Sequence, residues 1–237
     1  MVALLLGGLA LTLALRPVER LCHGAGRPWT GRLTCGVCRG ALRIIGLPVA
    51  VSGAPMADRG PLVANHASWL DILVLNAPAP IVFVSKAEVA GWPGIGWLAR
   101  ATGTVFIRRV RREAAGQVAL LRARAAEGQR LLFFPEGTSS DGRRVLPFRT
   151  ALLAAFDDVP VQPVTVAYRA PAGARADFYG WWGEMALGPS LLSVLSAPRQ
   201  GAVRVTYHAP VPPGADRKVR ARALEDAVRS GLDGAPS

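Results

Sequence analysis

Pro61-Leu62-Val63-Ala64-Asn65-His66-Ala67-Ser68-Trp69-Leu70-Asp71 contains a complete structural transition. Three apolar residues after Pro61 predict a short buried strand, and Asn65-His66 break it. Ser68 is a good N-cap and predicts a helix over Ser68–Leu75. A buried strand running through a tight turn into a helix is the unit of an α/β sheet. The end of such a strand is where these folds place their chemistry.

The same alternation continues on both sides of this stretch. Strands are expected at Val49–Ser52, Pro61–Ala64, Ile81–Ser85, Thr104–Arg108, Arg130–Phe134, Val161–Tyr168 and Ala202–His208. Further helices are expected at Ile95–Ala101, Arg111–Glu127, Thr150–Phe156, Gly183–Leu195 and Asp216–Leu232. The pattern predicts an α/β domain with a single central sheet flanked by helices. Gly53 to Gly60 is the one linker-like stretch near its start.

Upstream, Met1 to Leu15 carries no charge. As a helix it would span roughly 22 Å at ~1.5 Å per residue, short of the ~30 Å of a bilayer core. No positive segment precedes it and no small-residue cleavage site follows, so a retained anchor is expected rather than a secretory signal. A basic hinge is expected over Arg16–Pro28, then an amphipathic helix over Trp29–Leu47 whose Arg32, Arg39 and Arg43 suit lipid headgroups. The chain thus divides into a membrane-associated N-terminal helical pair, 1–47, and an α/β domain, 48–233.

Composition agrees with a lipid-facing protein. Of 237 residues, 51% are hydrophobic, and the formal net charge is +12, almost wholly from arginine. Such a surface suits nucleic acid or anionic lipid. Aromatic residues are only 7% and no nucleic-acid fold signature occurs, which favours lipid. A basic, non-catalytic protein of membrane or nucleic-acid surfaces is the rival reading. The cysteines, Cys22, Cys35 and Cys38, are odd in number and form no second metal-type pair, so neither a disulfide framework nor a metal site is expected.

His66 is a candidate general base, because imidazole accepts a proton near neutral pH. Asp71 lies five residues on, which on one continuous helix would set the two about 140° apart. They can meet only if His66 stays in the loop and the helix opens after it. Asp71 then orients the ring and stabilises the imidazolium. No Gly-x-Ser-x-Gly nucleophile elbow occurs, so the nucleophile is expected to arrive as a substrate hydroxyl. A second loop, Phe134-Pro135-Glu136-Gly137-Thr138, follows an apolar strand. Gly137 permits close backbone approach, and Glu136 is able to accept hydrogen bonds from an alcohol or a cation. A third stretch, Gly103 to Arg109, ends in arginines suited to an anionic group.

These segments, in this order, resemble the glycerophospholipid acyltransferase family, typified by 1-acylglycerol-3-phosphate acyltransferases. Its Asn-His-x-Ser-x-x-Asp motif is matched by Asn65, His66, Ser68 and Asp71, and its Gly-x-x-Phe-Ile-x-Arg strand by Gly103, Phe106, Ile107 and Arg109. Phe-Pro-Glu-Gly-Thr is matched by Phe134 to Thr138, and Val-x-Pro-Val by Val161, Pro163 and Val164. The resemblance implies that His66, held by Asp71, deprotonates a lysolipid hydroxyl for attack on an acyl thioester. The donor is acyl carrier protein or coenzyme A, and no bound cofactor or metal is needed. Asn65, Ser68, Lys86, Arg109, Glu136, Gly137 and Thr138 would line or position the acceptor site. It also implies a monotopic enzyme on the cytoplasmic face of the inner membrane, making phosphatidic acid from 1-acylglycerol-3-phosphate. One departure stands out: Ser139 follows Thr138, where the family usually has an arginine that binds phosphate. With Val145–Arg149 and the block Tyr179–Met185, this is similar to members that acylate lyso-ornithine lipid, the alternative acceptor.

Overall fold

The computed structural model describes residues 1–58, 60–108, 110–214 and 216–233. Its strands are β1 (Val49–Ser52), β2 (Leu62–Ala64), β3 (Val82–Lys86), β4 (Val105–Ile107), β5 (Leu131–Phe133), β6 (Gln162–Arg169) and β7 (Ala202–Tyr207). Every expected strand is present, within one residue at either end. The helices are α1 (Val2–His23), α2 (Pro28–Ile45), α3 (Asp71–Asn76), α4 (Ile95–Ala101), α5 (Ala114–Ala126), α6 (Leu187–Ser196) and α7 (Arg217–Asp233). The expected helix over Thr150–Phe156 is a short 3-10 segment, Leu152–Phe156.

The strands form one seven-stranded sheet in the order β1-β7-β6-β2-β5-β3-β4. β6 and β7 are antiparallel and every other neighbouring pair is parallel. β2 is central, and Leu62, Val63 and Ala64 are fully buried, as a parallel strand covered on both faces requires. One face packs Leu62 and Ala64 against α2, α3 and α6 through Leu42, Val74 and Val194. The other packs Val63 against α5 and α7 through Leu121, Leu224 and Val228. The two parts expected to divide at residue 47 share this core, because Cys38, Leu42 and Leu47 belong to the first cluster.

The N-terminal pair departs from the expected hinge. α1 continues through Pro17 to His23, and the turn is confined to residues 24–27. The reason lies in two side chains of the expected hinge. Arg16 donates to the carbonyls of Gly26 (2.7 Å) and Gly24 (3.2 Å). Glu19 is fully buried and accepts from the Trp29 N–H (2.7 Å), the Thr30 N–H (2.9 Å) and the Thr30 hydroxyl (2.6 Å). A carboxylate from α1 therefore caps the N-terminus of α2, where N–H groups lack helical partners. With 22 residues, α1 reaches about 33 Å, enough by length to cross a bilayer core of ~30 Å. Arg27 closes the turn against the α4–β4 corner by donating to the Ala101 carbonyl. Its guanidinium occupies the space where Gly103 lacks a side chain, so Gly103 serves packing as well as its positive φ of 85°.

Candidate active site

β2 and β5 run parallel with Leu62 beside Leu132, so four residues on His66 comes level with Glu136. The register thus brings the two main loops together at the C-terminal end of the sheet, although 70 residues separate them in sequence. The His66 ring stacks on Phe134, with centroids 4.1 Å apart and planes 12° from parallel. Glu136 Oε1 accepts from the His66 backbone N–H at 2.7 Å, and Oε2 accepts from the Leu146 N–H at 2.9 Å. Ser140 is anchored to the same loop, its N–H donating to the His66 carbonyl at 2.8 Å.

His66 Nδ1 lies 2.7 Å from Asp71 Oδ2. Asp71 is fully buried, and the same oxygen accepts from the Ala67 N–H (2.8 Å) and the Ser68 N–H (3.0 Å). Oδ1 accepts from the Tyr168 hydroxyl at 2.7 Å. Four donors fix the carboxylate in one orientation. The His66 side chain is 20% exposed, so the imidazole is open to solvent and the Asp71 carboxylate is not. With Nδ1–H directed at Asp71, Nε2 is the nitrogen left to take a proton.

The loop geometry corrects one expectation. The helix does not open at Ser68, since α3 begins at Asp71. Ser68 Oγ instead accepts from the Leu70 N–H at 3.2 Å, a local turn. Asp71 sits in the first turn of α3, and its carboxylate is itself the group that gathers the preceding N–H donors.

The remaining expected site residues divide by burial. Asn65 is buried and bridges to β6, donating to the Val166 carbonyl (2.9 Å) and accepting from its N–H (2.8 Å). Glu136 is buried with both oxygens on backbone amides, so its carboxylate holds the two loops together rather than meeting solvent. Burial pushes its pKa up to about 7, against the pull of the Leu146 and His66 amides. Gly137 has φ 74°, and its N–H donates to the Phe134 carbonyl (3.0 Å), a turn that leaves Thr138 exposed. Lys86 ends β3 and is exposed at the same edge of the sheet. Arg109 lies outside the described residues. Among the described residues, no three His, Cys, Asp or Glu side chains gather as a metal set.

Tyr168 was missed in the sequence as a site residue. Period-two alternation would have found it, because it shares a face of β6 with Val164 and Val166 and projects beyond the end of β2. Burial and the adjacent Asp71 carboxylate hold its hydroxyl well above the ordinary tyrosine range, so it donates. The segment after β6 also closes on the site. The Trp181 N–H donates to the Ala67 carbonyl (2.8 Å), and Trp69 Nε1 donates to Ser190 Oγ (3.2 Å).

Residues 51–168 match the acyltransferase family model. The lyso-ornithine lipid O-acyltransferase of Rhodobacter capsulatus is 55% identical over 240 residues, covering 98% of this chain and 87% of that protein. The enzyme of the same name from Pseudomonas aeruginosa is 40% identical over 96% of this chain and 88% of its own length. A 1-acyl-sn-glycerol-3-phosphate acyltransferase of Neisseria gonorrhoeae is 36% identical, over 58% of this chain and 55% of that protein. The crystal structure of the Thermotoga maritima 1-acyl-sn-glycerophosphate acyltransferase shares the fold, with TM-score 0.58 and 23% identity over 100% of this chain and 97% of that one. An α/β sheet with a histidine–aspartate pair at the C-terminal ends of its parallel strands, and relatives matched along nearly the whole chain, lead to one conclusion: this protein belongs to the acyltransferase family and is an acyltransferase enzyme.

Proposed function

We propose that the protein is a lyso-ornithine lipid O-acyltransferase with His66 as general base. The observation that carries this reading is the 55% identity to the Rhodobacter capsulatus enzyme over 98% of the chain. The glycerophosphate enzyme of Neisseria gonorrhoeae matches over 58% of the chain only. Phosphatidic acid synthesis, the first expectation from the motifs, therefore becomes the second reading. Ser139 supports this order, since an ornithine headgroup carries no phosphate monoester for an arginine to bind.

In the proposed reaction, His66 Nε2 takes the proton of the lysolipid hydroxyl, and the oxygen attacks the carbonyl carbon of an acyl thioester on acyl carrier protein or coenzyme A. Asp71 stabilises the imidazolium that forms, and Tyr168 fixes Asp71 in turn. Backbone N–H groups of the two loops stabilise the tetrahedral oxyanion. Collapse expels the thiolate, which takes the proton back from His66. Glu136 acts by position, holding the His66 backbone. Lys86, Arg109 and Thr138 serve the headgroup side. The enzyme works as a monotopic protein on the cytoplasmic face of the inner membrane, with α1 in contact with lipid.

The test is purified protein with labelled acyl thioesters, offered lyso-ornithine lipid beside lysophosphatidic acid. The reading expects preferential transfer to lyso-ornithine lipid, and preference for lysophosphatidic acid would reverse it.

A further inference from the structure

Between residues 178–186 and α6 lies a groove of about 250 Å³, lined by Phe178, Gly180, Met185, Ala186, Pro189 and Ser193. It adjoins the catalytic loop through the two hydrogen bonds already described, Trp181 N–H to Ala67 and Trp69 to Ser190. Ala67 and Trp69 are one and three residues from His66. We propose that this groove holds the hydrocarbon chain of the lysolipid acceptor. The proposal rests on the lysolipid reading above and adds where the acceptor lies.

Two observations point to hydrocarbon rather than a polar ligand. Residues 185–198 carry no charge, in a chain of net charge +12. α6 buries Ser190 and Val194 and turns its apolar remainder outward, with Leu192 70% exposed and Met185, just before the helix, 46% exposed.

The topology then says which chain. β7 begins at Ala202, paired with Arg169 at the end of β6, so α6 leads into the sheet at its catalytic edge. β1 begins beside β7, with Val49 against Val203, so the C-terminal end of α2 lies at that edge too. α1 packs back along α2, Leu4 against Gly40, which brings its apolar N-terminal half to the same place. Each of these three helices exposes a large apolar side chain, Leu6 on α1, Ile44 on α2 and Leu192 on α6. A lipid acceptor enters from an apolar side. A thioester on a polar carrier approaches from water.

Filling the groove tests this. Ser193→Trp and Ala186→Trp, at its two walls, are compared with wild type using long- and short-chain lyso-ornithine lipid dispersed in detergent. Circular dichroism confirms that each variant is folded. The kcat/KM ratio of long to short acceptor is expected to fall about tenfold, the loss of burying roughly two methylenes. The ratio for long and short acyl donors is expected to hold. Unchanged acceptor ratios in folded variants would overturn the proposal, as would a shift in the donor ratio instead. Wild-type protein that acylates no lysolipid would overturn the proposed function itself, and this proposal with it.

Discussion

Tyr168 donates its hydroxyl to Oδ1 of Asp71 at 2.7 Å, the oxygen that His66 does not use. The two residues lie 97 positions apart, on β6 and at the start of α3. Tyr168→Phe removes one of four donors and nothing else from the carboxylate. A hydrogen bond to a charged group is worth ~1.5–3 kcal/mol, so kcat is expected to fall at least about tenfold. Steady-state assays on folded Tyr168→Phe check this, and a wild-type kcat would contradict it.

His66→Ala should lower acyl transfer by the ~10²–10⁴ of a lost general base. Asp71→Asn should be comparably impaired, because the amide cannot stabilise the imidazolium although it can still accept the Ala67 and Ser68 N–H groups. Steady-state assays on variants with wild-type circular dichroism decide this. Near-normal transfer in both would make the proposed general-base mechanism wrong.

Glu136 makes stability depend on pH. Its folded pKa is raised from 4.5 to about 7, so the folded state holds a proton more tightly than the unfolded chain. Its contribution is full below about pH 4.5, declines as pH rises towards 7 and is then lost. Across that window wild type should lose on the order of 2 to 3 kcal/mol relative to Glu136→Gln, read from urea denaturation at a series of pH values. A constant difference between the two proteins would contradict this.

Glu19 holds the N-terminal pair together. Glu19→Ala strips the acceptor from the Trp29 and Thr30 N–H groups and the Thr30 hydroxyl. Two helix N–H groups and a hydroxyl left without this acceptor should cost about 1–3 kcal/mol, visible as a lower denaturation midpoint.

Leu6 and Leu13 project from α1, 57% and 58% exposed. Leu6→Glu with Leu13→Glu should release the protein from anionic vesicles in a co-sedimentation assay. Point changes suit this better than truncation, because removing residues 1–47 would strip Cys38, Leu42 and Leu47 from the core. Undiminished sedimentation would place the lipid contact elsewhere.

Local sequence determined a good deal. Short apolar runs bounded by turns marked every strand, because burial on both faces of a parallel strand leaves little choice of residue. The demand that His66 and Asp71 meet ruled out one continuous helix and kept His66 in a loop. What local signals could not carry was partnership across the fold. Ser68 read as a cap, yet Asp71 took the N–H groups, since a charged acceptor outcompetes a hydroxyl. Arg16 and Glu19 read as part of a basic hinge, yet they are turned inward to build a hairpin. Glu136 read as a ligand group, and the β2–β5 register made it a clamp on the His66 backbone. Tyr168 reached the site only because β6 lies beside β2 in the sheet. Each of these depends on which strands and helices are neighbours. That was decided by the packing of two apolar faces around one sheet, and no window of sequence contains it.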